Sequence, residues 1–192
     1  LAQRGHTLTL VSTAPRARLR LHARAEGRLR LVESPDLLPG PLRSGWDPYA
    51  TLRRMLWALP RRFDIVHAFE TRPVNLYPAL AARRRGAKLV FDWADWFGAG
   101  GSLEERPNRL VRAVLRPFET YHENHFRTRA AGTTVINTFL GQRAVSLGVS
   151  PESILLLRNG SRLAVPALDK PAARQLTGHP QGDPLIGFVG GT

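Results

Sequence analysis

Six polar or aromatic side chains lie at the ends of short apolar runs, where a chain can present them to a ligand. A carboxylate or an amide can hydrogen-bond the hydroxyl groups of a substrate, an imidazole can also move a proton, and an indole ring can stack on an apolar face. The same residue types also serve as helix caps, solvated loop groups or core packing, so both interpretations stay open. The six residues are His67, Glu70, Arg72, Asp95, Trp96 and Asn137.

The elements that must position these side chains alternate between β-rich runs and helical stretches. This alternation is typical of βαβ units, and it predicts an α/β fold with a doubly wound, mostly parallel, Rossmann-like sheet. Ligands of such sheets bind at the carboxyl ends of the strands, where the six side chains would lie. Strands are predicted over 7–11, 18–22, 28–32, 63–68, 88–92, 133–136 and 153–157, and helices over 47–60, 74–85, 108–129 and 139–147.

Three residues give specific boundary signals. Asp47 followed by Pro48 places an N-cap residue and a first-turn proline at the start of a helix. Pro117 lies inside the longest helical stretch and predicts a kink or a break there. Gly27 separates two alternating runs and predicts a hairpin at a sheet edge.

The composition describes a basic chain without cysteine. The formal net charge is +13 and the hydrophobic fraction is 43%, which is ordinary for a folded domain. The lack of cysteine excludes disulfides and thiolate metal sites, and no run reaches the roughly 20 apolar residues that a membrane-spanning helix needs. The first 62 residues hold 12 basic and 4 acidic residues. Such a field attracts an anionic membrane surface, nucleic acid or a phosphorylated substrate, or it reflects solvated surface arginines.

Motifs for other ligand classes are missing or incomplete. The dinucleotide pattern G-x-G-x-x-G does not stand between a strand and a helix, although the segment Gly98–Gly101 comes closest, and there is no P-loop. His122 and His125 share one helix face with Glu123, but two histidines without a third ligand argue against a metal site. An exposed or capping role is expected for them instead.

Five segments, in the expected order, resemble the retaining family 4 of GT-B glycosyltransferases. Leu1–Val11 (LAQRGHTLTLV) is similar to a helix-to-strand passage near the start of many members, and Phe63–Ala68 (FDIVHA) to their "DIVHAH" strand. Gly132–Leu140 (GTTVINTFL) resembles "D.V.TVS..L", and Leu147–Gly160 resembles "LGV..ERI.VI.NGVD". Leu185–Gly190 (LIGFVG) looks like the first strand of the donor-binding domain.

The resemblance implies the N-terminal half of a GT-B enzyme, in which two Rossmann-like domains face a cleft. The N-terminal domain of such enzymes binds the acceptor, which can be a sugar or a lipid-linked molecule. The C-terminal domain binds the nucleotide-sugar donor, no metal is required, and the anomeric configuration is retained.

The same resemblance implies a domain division. Residues 1–163 would form the acceptor-binding domain without its first strand, 164–184 a linker, and 185–192 the first strand of a donor-binding domain. Asn159 and Gly160 would form the hinge between the two domains. The chain is then expected to be a piece of a longer enzyme and to be inactive by itself.

Two candidate residues gain a role from the resemblance. His67 matches the family's strand-end histidine, which implies contact with the acceptor or the reacting sugar and makes it the one candidate catalytic residue. The alternative for His67 is a histidine that is only hydrogen-bonded at a strand end. Asp95 follows the next strand, where many members carry a histidine or an aspartate, and is the leading candidate for acceptor recognition. The other acceptor-binding candidates are Glu70, Arg72, Trp96 and Asn137.

Two other functions stay open. The charge alone motivates a basic nucleic-acid-binding module, but the absence of RRM, KH or helix-turn-helix signatures argues against nucleic acid as a partner. A degenerate, non-catalytic glycosyltransferase-like partner subunit is the second alternative. The leading interpretation is a cytoplasmic enzyme that can associate peripherally with the inner face of a membrane.

Overall fold

The computed structural model describes residues 1–14, 19–38, 45–160 and 168–185, and divides the chain into a unit Leu1–Arg158 and a unit that begins at Asn159. The strands in these ranges are β1 (Leu8–Thr13), β2 (His22–Glu26), β3 (Leu29–Ser34), β4 (Ile65–Phe69), β5 (Lys88–Trp93), β6 (Gly132–Val135) and β7 (Ile154–Leu156). The helices are α1 (Pro48–Ala58), α2 (Pro73–Arg84), α3 (Arg109–Phe126), α4 (Thr138–Ser146) and α5 (Lys170–Thr177).

The strands of the first unit form two sheets, whereas the sequence predicted one. The first sheet has the order β1-β3-β2, with β1 parallel and β2 antiparallel to β3. The second has the order β4-β5-β6-β7, and all its neighbouring strands are parallel. The predicted α/β fold with parallel strands is therefore confirmed, and the carboxyl ends of β4 to β7 meet at one edge.

The core lies on one face of the second sheet. Alternate strand residues point to this face, where helices α2 and α4 contact the strands. On the opposite face Ile65 and Phe69 remain 62% and 59% exposed. The face away from α2 and α4 therefore keeps exposed apolar side chains on β4. The buried side chains belong to two clusters: Ala68, Leu76, Ala79, Leu89 and Phe91, and Trp93, Val135, Leu140, Ala144 and Val149.

Arg54, on the buried side of α1, forms hydrogen bonds that connect the two sheets. Its guanidinium donates to the hydroxyls of Thr13 and Ser34, where β1 and β3 end, at 2.8 and 2.7 Å. It also donates to Asn75 Oδ1 at 2.9 Å, and Asn75 Nδ2 donates to the carbonyl of Phe69 at the end of β4. Burial lowers the pKa of Arg54 to about 10, although the charges of nearby aspartates oppose this shift.

Asp47 and Pro48 begin α1 as predicted. The Asp47 carboxylate accepts hydrogen bonds from the backbone N–H groups of Tyr49 and Ala50 at 2.8 and 3.2 Å, and from Leu37 at 2.7 Å. Burial raises the pKa of Asp47, but these hydrogen bonds outweigh it and leave the pKa below its usual value.

Three local predictions need correction. Of the kink or break predicted at Pro117, the break is wrong, because helix α3 runs unbroken from Arg109 to Phe126. Pro117 and Ala113 are both exposed, so water can satisfy the Ala113 carbonyl that loses its partner. The second strand lies at 22–26 instead of 18–22, because the turn at Gly27 pairs Glu26 with Leu29. The predicted linker contains α5, which Asp169 caps at its start and Gly178 ends with a φ of 72°.

The remaining expectations concern the second unit and membrane crossing. Of the predicted strand 185–192, only Leu185 belongs to the described residues. Among the helices in the described ranges, none combines the length and the apolar character that crossing a bilayer requires.

Candidate functional site

The carboxyl edge of the second sheet gathers most of the predicted residues. His67 lies on β4, Glu70 and Arg72 follow it, and Asp95 and Trp96 follow β5. Because β4, β5 and β6 are parallel, these segments leave the sheet at the same edge.

His67 belongs to a hydrogen-bonded chain across three strands. The hydroxyl of Thr134 on β6 donates to Asp92 Oδ1 on β5, and His67 Nε2 lies 3.3 Å from Thr134 Oγ1. A hydroxyl has one proton, so Thr134 accepts a hydrogen bond from the N–H at His67 Nε2. The His67 side chain is 36% exposed and stacks on Phe69.

Glu70 has an unusual backbone and an unusual charge environment. Its φ of 76° is the only positive φ of a non-glycine residue in the described part of the chain. Burial raises the pKa of the Glu70 carboxyl, the charge of Asp95 raises it further, and the Arg72 guanidinium opposes the shift. A left-handed backbone conformation at a non-glycine residue costs about 1–3 kcal/mol of folding free energy. The contacts around Glu70 must offset this cost.

Arg72 links Glu70 to a buried carboxylate on α3. Its Nη1 lies 3.5 Å from Glu70 Oε2 and its Nε lies 3.6 Å from Glu119 Oε1. Glu119, whose side chain is 1% exposed, also accepts hydrogen bonds from Arg106 and from the Trp46 indole at 2.8 and 3.1 Å. Arg72 is therefore held in place between two carboxylates, with its guanidinium over the Phe97 ring.

The loop that carries Asp95 and Trp96 is anchored by Glu123 of α3. The buried Glu123 carboxylate accepts hydrogen bonds from Trp93 Nε1 at 2.9 Å and from the backbone N–H of Gly98 at 2.5 Å. The glycines that follow permit close packing, since a Cβ on Gly101 would lie 2.0 Å from the Trp96 carbonyl oxygen. The glycine-rich segment thus folds tightly back on Trp96.

An aromatic surface lies beside this loop. The Trp96 ring is 6.0 Å from that of Phe139 at the start of α4, and the Arg143 guanidinium lies over the Trp96 ring at 4.0 Å from its centroid. Phe139 is 56% exposed. An exposed aromatic ring suits a ligand that has an apolar face.

Three further predicted residues lie at a helix start or at the boundary between the two units. Asn137 caps α4, since its side chain accepts the backbone N–H of Leu140 at 2.8 Å. Asn159 and Gly160 lie at the start of the second unit, next to the boundary after Arg158.

The expectation that His122 is exposed or caps a helix end is wrong. His122 is buried, its Nδ1 lies 2.8 Å from the Phe118 carbonyl, and its Nε2 lies 3.2 Å from the Tyr77 hydroxyl. His125 stacks on Tyr121. Across the residues that the structure describes, no three side chains of metal-binding type come together.

Sequence reasoning missed four residues that support this edge: Thr134, Glu119, Glu123 and Arg127. Arg127 is buried over the Trp93 ring, and burial lowers its pKa to about 10 against the opposing charges of Glu123 and Asp92. The i, i+4 spacing of Glu119 and Glu123 places them on one helix face, which was the available signal.

Comparison with known families matches most of the chain to a family of glycosyltransferase domains. The glycosyl transferase 4-like domain family matches residues 1–160. Among curated proteins, no match to this chain was found.

Proposed function

Because the chain belongs to the glycosyl transferase 4-like domain family, we propose that it is the acceptor-binding domain of a retaining glycosyltransferase. In this reaction the bond from the anomeric carbon of a nucleotide-sugar to its leaving phosphate breaks. The acceptor oxygen takes the sugar and releases its proton. The acceptor is a sugar or a lipid-linked molecule with a free hydroxyl.

The observation that carries this proposal is the position of Glu70. A partly buried carboxylate with a raised pKa is a better proton acceptor than a solvated one, and Glu70 stands at the edge where parallel sheets bind ligands. It is held there in a left-handed conformation, next to Arg72. Strain of this kind at a ligand-binding edge is a recognised mark of a functional residue.

Each remaining side chain has a role in this proposal. Glu70 and Asp95 accept hydrogen bonds from acceptor hydroxyls, and Arg72 orients Glu70. Trp96 stacks on a sugar ring together with Phe139, and the His67 side chain contacts the reacting sugar. Asn137 keeps an amide N–H for the acceptor, because only its oxygen caps α4.

The donor half of the reaction is assigned to a second domain. That domain would hold the nucleotide-sugar and stabilise the leaving phosphate with helix N-termini and basic side chains, without a required metal. The domain described here then positions the acceptor and transfers no sugar alone.

Activity of the natural protein that carries this domain tests the proposal. We expect transfer from a member of a nucleotide-sugar panel to sugar or lipid-linked acceptors, with retained configuration in the NMR spectrum of the product. Substitution Glu70→Gln should lower kcat/KM roughly 10- to 100-fold, because a hydrogen bond to a charged group contributes about 1.5–3 kcal/mol.

Glu152→Gln is the matched control, because Glu152 precedes β7 at the opposite edge of the sheet and should leave kcat/KM unchanged. Absence of transfer by the unaltered protein would favour the degenerate partner subunit. Equal losses in both variants would remove Glu70 from the site.

A further inference from the structure

A second surface of the first unit, away from the candidate site, combines exposed apolar and basic side chains. Helix α1 exposes Leu52, Leu56 and Leu59 to 46%, 52% and 39%. Their i, i+4, i+7 spacing places them on one helix face, opposite the buried Ala50, Arg54 and Ala58. These three leucines are called the α1 stripe below.

The α1 stripe ends next to a group of cations. Arg61 and Arg62 follow α1. Helix α2 ends at Arg84 and is followed by Arg85, shortly before Lys88 begins β5. Within the described ranges, none of these five residues, called the basic cluster below, forms a salt bridge. The cluster lies at the amino edge of the second sheet, opposite the edge that holds Glu70.

Part of the basic cluster surrounds a surface cavity of about 440 Å³. Asp64 is the one carboxylate among its lining residues, which are Arg62, Phe63, Asp64, Arg85, Gly86 and Lys88. A cavity with three cations and one anion attracts a phosphate group.

We infer that this surface docks the protein on an anionic phospholipid bilayer. The α1 stripe enters the boundary between headgroups and acyl chains, and the basic cluster binds lipid phosphates at the cavity. A helix with leucines on one face and arginines beside it has the composition of an interfacial helix. Each cation near an anionic membrane surface strengthens binding about fivefold.

In the described part of the chain, helix α3 exposes a comparable apolar face beside fewer unpaired cations, of which Arg109 at its start is one. Leu110 and Val114 are 79% and 61% exposed. The neighbouring cations Arg112 and Arg116 are paired with Glu104 at 4.0 and 3.1 Å. The charge therefore favours α1 over α3 as the face that meets anionic lipid.

Sedimentation with vesicles tests the inference on the whole chain. We expect the protein to sediment with vesicles of phosphatidylglycerol and phosphatidylcholine, and much less with phosphatidylcholine alone. The variant Leu52→Asp/Leu56→Asp and the variant Arg62→Gln/Arg85→Gln/Lys88→Gln should each weaken binding at least tenfold. The control Leu110→Asp/Val114→Asp should bind as the unaltered protein does, and circular dichroism spectra should show that all variants fold.

Several results would overturn the inference. The inference is wrong if the protein does not sediment with anionic vesicles. It is also wrong if the α3 control loses as much vesicle binding as the α1 variant, or if the α1 variant loses none. Tighter binding of single-stranded RNA than of vesicles, weakened by the same lysine and arginine changes, would make the surface a nucleic-acid site instead. The inference is independent of the acceptor site, because none of the altered residues belongs to that site.

Discussion

Glu70 holds its carboxylate at a backbone position that side chains seldom adopt and in surroundings that disfavour its charge. Folding therefore costs free energy at this residue, and neighbouring contacts must offset it. Natural proteins tolerate such costs mainly where a ligand uses the group, which is why Glu70 carries more of the proposal than His67 does. His67, by contrast, is satisfied by Thr134 in the absence of any ligand.

The raised pKa of Glu70 predicts a pH dependence of stability. Because the pKa is above its usual value of 4.5 only in the folded state, the folded chain binds the proton more tightly than the unfolded chain. The contribution of Glu70 to stability is thus complete below pH 4.5 and is lost as the pH rises through the folded-state pKa. Relative to the unaltered protein, Glu70→Gln should become more stable as the pH rises over this window.

Urea unfolding of both proteins at a series of pH values measures this difference. Glu152→Gln serves as a control of opposite sign, because a hydrogen bond from Ser150 lowers the pKa of Glu152. A difference between Glu70→Gln and the unaltered protein that stays constant with pH would contradict the assigned charge environment.

At the scale of elements, the loop after β5 depends on α3. The Glu123 carboxylate accepts hydrogen bonds from the Trp93 indole N–H and from the backbone N–H of Gly98. It therefore fixes both ends of the segment that holds Asp95 and Trp96. A glutamine there would keep one acceptor oxygen and place an NH₂ group against a backbone N–H.

Glu123→Gln should therefore lower the free energy of unfolding by about 1–3 kcal/mol, the cost of a buried donor without a partner. Urea unfolding of both proteins measures this change in the free energy of unfolding. Glu105→Gln alters an exposed glutamate of the neighbouring turn and should stay within about 0.5 kcal/mol. A Glu123→Gln variant as stable as that control would show that the loop is held by other contacts.

Helix α3 also shows where the sequence misleads. It buries Glu119, His122 and Glu123 and exposes Leu110 and Val114, which is the reverse of an ordinary amphipathic surface helix. A periodic pattern locates a helix but cannot tell which face turns inward when hydrogen-bond partners come from distant loops. The buried carboxylates that support the site were therefore missed.

Other elements follow from short-range signals. The N-cap at Asp47, the hairpin turn at Gly27 and the strands β4 to β7 were predictable, because caps, turns and apolar runs are local. The pairing of His67 with Thr134 joins residues 67 positions apart, and no local pattern encodes it. The positions of the candidate residues at one edge could be predicted, and their individual partners could not.

At the scale of the whole molecule, the first unit is two sheets held in a fixed relation at their carboxyl ends. Arg54 reaches the ends of β1 and β3 and, through Asn75, the end of β4. The sequence did not predict the division into two sheets, because strand order depends on pairing between residues that are far apart in the chain. Acceptor binding and membrane docking would then use opposite edges of the same parallel sheet.

The kinetics of Trp96→Phe in the natural protein test the central claim, that the carboxyl edge of the second sheet binds the acceptor. Loss of the indole's stacking area should raise the KM for the acceptor by roughly threefold to tenfold and leave the KM for the nucleotide-sugar unchanged, since aromatic stacking contributes about 0.5–1.5 kcal/mol. Trp57→Phe on α1 is the matched control and should change neither. A rise in the KM for the nucleotide-sugar with an unchanged KM for the acceptor would contradict the account.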